Sequence, residues 1–243
     1  MKEHVYFVNA HPDDLIACMG LCMQLSADER FEVHVVNMTR GERGLSRQRV
    51  PLAECAAIRT KEEETVCGAM GLKPRWLREI DGEACASKEA CQELADMFIA
   101  EPPRAIFTQW PVDRHVDHMV CSTIALNALR FAAGDIGGQL KTKTAATEVY
   151  FYAYAGNSIG FVPTHYFPLD EKAMDKKCAL ISKYECQNGV AMARQERMES
   201  LCHGQSVRTP YAEAYQSFQP YLPGKKCIFD QLITGVSPSP PPL

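Results

Sequence analysis

The stretch Val5-Tyr6-Phe7-Val8-Asn9-Ala10-His11-Pro12-Asp13-Asp14 decides the fold of this chain. Its first four residues are apolar and predict a buried β-strand, and the apolar residues spaced between positions 15 and 25 predict a helix directly after it. One imidazole and two carboxylates therefore lie where a strand ends and a helix begins, which in an open α/β sheet is the edge at which ligands bind. The same residues also suit a simple helix start, because Pro is favoured at the first helical position and Asp in the first turn. This stretch alone leaves both interpretations open.

Strand and helix patterns alternate through the first half of the chain. Apolar or β-branched runs at residues 31–38, 75–80 and 104–109 predict three further strands, and a helical pattern follows each of them. Such alternation predicts a parallel sheet with right-handed crossovers. We therefore predict a single Rossmann-like α/β domain at residues 1–236, with a mostly parallel sheet of strand order 3-2-1-4-5, flanking helices and C-terminal additions. Residues 237–243 are predicted to form a Pro-rich tail.

The second half of the chain has a less regular pattern. Residues 148–155 predict a fifth strand and residues 164–169 a further one, which Pro163 and Pro168 favour at a sheet edge. The remaining predictions are an exposed connection at 134–146, helices at 171–186 and 190–202, and strands or irregular structure at 211–218 and 226–233.

Composition and charge exclude several classes of protein. The 243 residues include 26 Lys and Arg and 30 Asp and Glu, and the resulting net charge of −4 argues against a general nucleic-acid-binding protein. No apolar stretch is long enough to span a membrane, and the N-terminal residues do not resemble a signal peptide. The 11 cysteines include no Cys-x-x-Cys pair. We therefore expect reduced, buried cysteines in a cytoplasmic protein rather than disulfides or a zinc ribbon.

Two polar clusters are expected to meet at one edge of the predicted sheet. Strands 1 and 4 are neighbours in the order 3-2-1-4-5, and the crossovers reverse direction between them, so their carboxyl ends open a crevice. The side chains that follow these two strand ends are His11, Asp13, Asp14, Asp113, His115, Asp117 and His118. A catalytic zinc site has three protein ligands and an open position for water. Two histidines and one aspartate provide that number and leave other groups for acid–base chemistry, so the sequence predicts a metal site here.

These motifs resemble the PIG-L (LmbE-like) family of zinc-dependent N-deacetylases. The resemblance rests on Ala10-His11-Pro12-Asp13-Asp14 and His115-Val116-Asp117-His118, and it extends over roughly residues 4–216. Weaker similarities are Thr39-Arg40-Gly41-Glu42, Arg59 with Glu62 before Met70-Gly71, and Tyr211-Ala212-Glu213-Ala214-Tyr215. The sequence departs from the family pattern at Leu15, where the family often has Glu, and at 184–187, where it often has His before Ser-Gln. Both departures bear on the substrate rather than on a metal ligand.

The resemblance implies a role for each residue of the predicted metal site. His11, Asp14 and His118 would be the zinc ligands, and Asp13 would be the general base. His115 would lie beside the metal, where it would stabilise the tetrahedral intermediate or protonate the leaving amine. Zinc would lower the pKa of bound water to about 7 and polarise the carbonyl, which amide hydrolysis at neutral pH requires.

Further residues are predicted to support this chemistry. Asp117 or Asp113 would hold the ring of His115 and keep it protonated. By the family resemblance, Glu42 and Arg59 would contact the substrate.

We therefore expect a zinc-dependent amidohydrolase that removes an acyl group, above all acetyl, from an amino sugar or related small molecule, with zinc-bound water as nucleophile. The family resemblance is compatible with a homo-oligomer. One alternative is a metal-dependent amidase of another N-acyl substrate, and others are a receiver-like signalling module or a non-catalytic metal-binding protein. A receiver needs a further Asp after strand 3 and a Lys after strand 5, which residues 77–81 and 155–159 match only in part.

Overall fold

A computed structural model of the chain describes residues 2–134, 147–154, 157–218 and 227–232. Its strands are β1 (Glu3–Asn9), β2 (Phe31–Asn37), β3 (Arg75–Trp76), β4 (Pro103–Gln109), β5 (Glu148–Tyr152), β6 (His165–Leu169) and β7 (Tyr211–Ser217). Its helices are α1 (Met19–Ser26), α2 (Leu52–Ala69), α3 (Lys88–Ala100), α4 (Val116–Ala133), α5 (Glu171–Ile181), α6 (Gly189–Val207) and α7 (Ile228–Leu232). Short 3₁₀ turns lie at Asp14–Cys18, Ser46–Gln48 and Glu185–Gln187.

The strands form one mixed sheet in the order β3-β2-β1-β4-β5-β7-β6. β1 to β5 are parallel, whereas β7 pairs antiparallel with both β5 and β6. The predicted α/β class and the order of the first five strands are therefore confirmed. The C-terminal additions are β7 and β6, and β6 lies at the sheet edge, where Pro168 is tolerated because an edge strand needs fewer N–H donors.

β1 is buried on both faces, as expected for the centre of a parallel sheet. Val5 and Phe7 pack on one face against α1 and α5, while Tyr6 and Val8 pack on the other against α3 and α4. This two-sided packing brings the carboxyl ends of β1 and β4 together, because the two strands pair side by side. The residues that follow both strands therefore meet at one rim.

The predicted helix at 171–186 is too long. α5 ends at Ile181, and the chain turns back so that the start of α6 packs closely on the end of α5. A β-carbon at Gly189 would clash with the carbonyl oxygen of Ile181, so this approach requires glycine. The tail at 237–243 and nearly all of the connection predicted at 134–146 lie outside the described residues.

The segment at 226–233, predicted as a strand or irregular structure, contains the short helix α7. Asp230 accepts a hydrogen bond of 2.9 Å from the N–H of Cys227, and Ile228 and Phe229 are buried in the core. Packing of these two apolar residues against the sheet favours the helix. The segment is too short for its sequence to show a helical hydrophobic period.

All 11 cysteines are free thiols in the structure, but Cys85 and Cys202 are exposed, so the expected burial holds for only part of them. Those buried in the structure are Cys18, Cys22, Cys55, Cys67, Cys91 and Cys121. Among the described helices, none combines the length and the apolar character that a membrane span requires.

Candidate active site

A cavity of about 730 Å³ opens at the carboxyl ends of β1 and β4. Its floor carries His11, Asp13 and Asp14 from the loop after β1, together with His115 and His118 from the start of α4. The structure thus brings together five of the seven side chains for which the sequence predicted convergence. The other two, both aspartates, lie directly behind the histidines.

Three imidazoles form the centre of this cavity. The ring centroid of His115 lies 4.7 Å from that of His11 and 4.8 Å from that of His118. One ring nitrogen from each histidine lies within 4.8 Å of the others. The ring of His115 is exposed at the cavity, whereas His11 and His118 are buried. Burial, together with the neighbouring His11 and His118, lowers the pKa of His115.

The carboxylate of Asp14 joins two of these imidazoles. Its oxygens lie 3.3 Å from His11 Nδ1 and 3.5 Å from His118 Nε2. Ligands around one tetrahedral zinc ion are about 3.3 Å apart, given metal–ligand bonds of about 2.0–2.1 Å. Gln109 donates to Asp14 from its amide nitrogen at 2.6 Å, which fixes the carboxylate. The donor types and the two distances to Asp14 are compatible with a metal ion between His11, Asp14 and His118.

Each of these two histidines has an aspartate at its other ring nitrogen. Asp117 Oδ2 lies 3.0 Å from His11 Nε2, and Asp113 Oδ1 lies 3.2 Å from His118 Nδ1. Metal-binding histidines commonly have a carboxylate in this position, which orients the ring and raises its basicity. The prediction that Asp117 or Asp113 holds the ring of His115 is therefore wrong in this structure. Positions two apart near a helix start do not face each other, so Asp117 projects away from His115.

The surrounding carboxylates make the site favourable for positive charge. Burial opposes protonation of His11, but hydrogen bonds to Asp117 and Asp14 raise its pKa well above the usual value. Burial likewise opposes protonation of His118, yet the charge of Asp14 raises its pKa to about 9. The pKa of Asp14 lies well below its usual range, because both imidazoles outweigh the effect of burial. A metal cation would compete for this site with the protons on the two imidazoles.

Asp13 lies beside the proposed ligands in a strained conformation. Its φ of 92° is in the left-handed region, which a non-glycine residue adopts at a cost. Its Oδ1 lies 2.8 Å from Arg59 Nη2, and its N–H donates to Glu63 at 3.4 Å. Burial raises the pKa of Asp13 to about 6, although Arg59 opposes this rise. Asp13 thus faces the cavity as a carboxylate whose proton affinity is close to that needed near neutral pH.

The two residues predicted to contact substrate already have protein partners. The guanidinium of Arg59 is buried, contacts the carboxylate of Asp13, and donates to the carbonyl oxygen of Pro12. Glu42 accepts a hydrogen bond of 3.0 Å from the N–H of Asp81. Arg59 lines the cavity, but its observed contact is with Asp13. The prediction of substrate contact stays untested for both residues.

Sequence reasoning missed several polar residues of the site. Asp81, considered above only within the receiver alternative, lies 3.4 Å from His11 Nε2, and its pKa falls to about 2 because its hydrogen bond to His11 outweighs burial. Glu63 is buried and accepts hydrogen bonds from Asn37 and the hydroxyl of Tyr184. Asp81 follows β3 at the same rim as the other clusters, which was a usable signal. No sequence signal marked Glu63 as buried, because its neighbours in sequence are charged and the segment therefore resembles an exposed helix surface.

The fold and site together define a Rossmann-like α/β protein with a polar His/Asp cavity at the switch point of its sheet. The model of the family described as "PIG-L: GlcNAc-PI de-N-acetylase" matches residues 6–129, and the chain belongs to this family.

Solved structures with the same fold include proteins of different activity. N,N'-diacetylchitobiose deacetylase from Pyrococcus horikoshii is 24% identical, with a TM-score of 0.75 over 95% of this chain and 89% of that one. The conserved protein TT1542 from Thermus thermophilus is 23% identical, with a TM-score of 0.75 over 93% of this chain and 100% of that one. GalB, the 4-carboxy-2-hydroxymuconate hydratase from Pseudomonas putida, is 22% identical, with a TM-score of 0.75 over 93% of this chain and 100% of that one. Because one of these is a hydratase, the fold alone does not decide the reaction.

Proposed function

We propose that this protein is a zinc-dependent N-deacetylase that removes an acetyl group from an amino sugar or related small molecule. The observation that carries the proposal is the carboxylate of Asp14, which lies between the imidazoles of His11 and His118, with Asp13 beside it on the same cavity. Membership of the PIG-L family supports the same reaction.

His11, Asp14 and His118 would hold the zinc ion, with Asp117 and Asp113 orienting the two rings from behind. When bound, zinc would polarise the acyl carbonyl and make a water molecule more acidic. The residues of this chain would supply orientation and proton transfer. The arrangement leaves the third imidazole, that of His115, free to face the substrate.

Asp13 would accept the proton of the attacking water as the new bond to the carbonyl carbon forms. The salt bridge to Arg59 would keep its carboxylate aimed into the cavity. His115 would donate a hydrogen bond to the oxygen on which negative charge develops. As the C–N bond breaks, the amine would take the proton that Asp13 accepted from water, which gives a free amine and acetic acid. The acid would then lose its remaining proton to solvent and leave as acetate.

A polar small molecule suits the cavity in size and lining. Its volume of about 730 Å³ lies within the range of small-molecule sites. Arg43, Gln187 and Gln195 line its walls with hydrogen-bonding groups, and Tyr154 adds an aromatic ring. These groups match the hydroxyls and the apolar face of a sugar ring. The free thiols of the chain agree with a cytoplasmic location.

The alternatives have less support. Receiver domains of the CheY type have strand order 2-1-3-4-5, whereas here β3 lies at the sheet edge beside β2. A hydratase needs no amide substrate, and nothing in the described cavity favours it over deacetylation. An amidase of another N-acyl compound uses the same site chemistry, so only substrate tests separate it from an amino-sugar deacetylase.

Metal removal is expected to abolish deacetylation, because the proposed zinc ion would polarise the acyl carbonyl and make the attacking water more acidic. The chelated protein should release no free amine from N-acetylglucosamine or N,N'-diacetylchitobiose, and Zn²⁺ should restore release. Metal content and amine release are measured on the same sample, with N-acetylated amino acids as the comparison substrates. A zinc-loaded protein that hydrolyses only the amino acids would support the other amidase. Turnover that persists without metal would contradict the metal assignment.

Arg59→Met is expected to lower kcat by about 10–100-fold with little change in KM. Arg59 orients the proposed base Asp13, and a displacement of about 1 Å in a catalytic group lowers rates by about this factor. Steady-state kinetics on the zinc-loaded variant measure the changes in kcat and in KM separately. Arg47→Met, on an exposed arginine in the 3₁₀ turn before α2, is the matched control and should leave both constants unchanged. A rise in KM with unchanged kcat would instead indicate direct substrate contact by Arg59.

A further inference from the structure

A second group of metal-binding side chains lies at the opposite end of the sheet from the candidate active site. His4 on β1 and Glu32 on β2 are paired in the parallel register, and His34 lies two residues further along β2. Side chains two apart on a strand share a face, so the three groups project to the same side. Their nearest ligand atoms all lie within 4.8 Å of one another.

The distances within this group approach those of a metal site. His4 Nδ1 lies 3.0 Å from His34 Nε2 and 4.0 Å from Glu32 Oε2. Ligands of one tetrahedral zinc ion are about 3.3 Å apart. The side chain of Glu32 is 50% exposed, so its carboxylate has room to move the remaining distance. His34 is buried and therefore fixed, which makes it the anchor of the group.

The outer nitrogen of His34 faces a carboxylate that is itself held in place. His34 Nδ1 lies 3.8 Å from Glu101 Oε2, and Arg75 binds both oxygens of Glu101 at 2.6 and 3.1 Å. Tyr6 donates its hydroxyl to the same carboxylate at 3.2 Å. A carboxylate behind a histidine is the arrangement that orients metal-binding imidazoles. It leaves Nε2 of His34 directed towards His4.

We propose that His4, Glu32 and His34 form a second zinc site, with two imidazole ligands, one carboxylate ligand and a position open to solvent. Two imidazoles and a carboxylate are a common zinc donor set. His4 precedes His11 by seven residues of extended chain, roughly 23 Å at about 3.3 Å per residue, so the two sites bind independently. A zinc ion here joins the beginnings of β1 and β2, the two strands that support the candidate active site.

Zinc titration of the metal-free full chain at neutral pH against a chelating indicator tests this proposal. The wild-type chain is expected to bind two equivalents at micromolar free Zn²⁺, and the His4→Asn and Glu32→Gln variants one. Asn at position 4 keeps a hydrogen-bonding group near His34 while removing the imidazole, and Glu32 is exposed, so both variants should fold. Glu29→Gln, on a glutamate in the turn just before β2, is the matched charge control and should keep two equivalents.

Loading with Co²⁺ separates this site from the cysteines. Histidine and carboxylate ligands give visible absorption without an intense near-ultraviolet thiolate band, and the visible signal of the second equivalent should disappear in His4→Asn. A single equivalent in the wild-type chain would overturn the proposal. So would two equivalents in both variants, or a second equivalent with thiolate absorption.

Discussion

Asp13→Asn is expected to lower the rate of deacetylation by about 10²–10⁴-fold while the protein keeps its metal, because an amide cannot accept the proton of the attacking water. The substitution is nearly isosteric. Asn also tolerates the left-handed backbone conformation that Asp13 adopts, with φ of 92°. The amide oxygen can still accept a hydrogen bond from Arg59, so the loop should keep its shape. Amine release and zinc content on the same sample measure the two effects separately.

Two further variants serve as comparisons for Asp13→Asn. His11→Ala should lose both metal and turnover, since it removes a proposed ligand. Asp28→Asn changes an aspartate that pairs with Arg30 on the surface, and it should change neither property. An Asp13→Asn protein that retains turnover within a few-fold of wild type would show that another group is the base. Loss of zinc in Asp13→Asn would instead make Asp13 a ligand.

The parallel core of the fold was predictable because its signals are local. The apolar run of β1 and the helix patterns between strands fix the alternation of elements, and the chirality of crossovers then limits the strand order. The antiparallel β7 was ambiguous, since its residues pair with β5 and β6 only after the parallel core has formed. α7 was missed for the same reason: long-range packing, rather than its own sequence period, determines its conformation.

The location of the site was predictable, because its main residues directly follow the ends of predicted strands. His11 and His118 follow adjacent parallel strands, so topology alone brings them together. The roles of supporting residues depend on side-chain direction, which spacing does not give. Asp117 was assigned to the ring of His115, but it contacts His11 and accepts a hydrogen bond from the N–H of Gly82. That contact requires the turn after β3 to fold over the site, and no local pattern encodes this.

A buried ion cluster explains the late Tyr211-Ala212-Glu213-Ala214-Tyr215 motif. Glu213 on β7 accepts hydrogen bonds from the N–H groups of Gly20 and Leu21 at 2.6 and 2.9 Å, at the start of α1. Lys177 Nζ lies 2.6 Å from Glu213 Oε1 and 2.6 Å from Glu196 Oε1, and its side chain is fully buried. A β-carbon at Gly20 would come within 2.8 Å of Glu213 Oε1, so glycine permits this approach. The motif therefore anchors the helix that follows the loop carrying His11, Asp13 and Asp14.

Lys177→Met is expected to lower the free energy of unfolding by about 3–5 kcal/mol, because it leaves two buried carboxylates without their cation. The Met side chain fills most of the same space, so the loss reflects charge rather than a cavity. Lys176→Met removes an exposed neighbour on the same helix and should change stability by no more than about 0.5 kcal/mol. Urea unfolding of the two variants and the wild type at one pH gives the comparison.

The pH dependence of the Lys177→Met defect identifies its cause. Burial raises the pKa of Glu196, and Lys177 opposes that rise in the wild type. Without Lys177 the folded state binds a proton on Glu196 more readily than the unfolded state does, so its stability increases as pH falls. The deficit relative to wild type should therefore be smaller near about pH 5 than near about pH 8. A deficit that is equal at both values would mean that Lys177 stabilises the fold through packing, because lost packing does not depend on protonation.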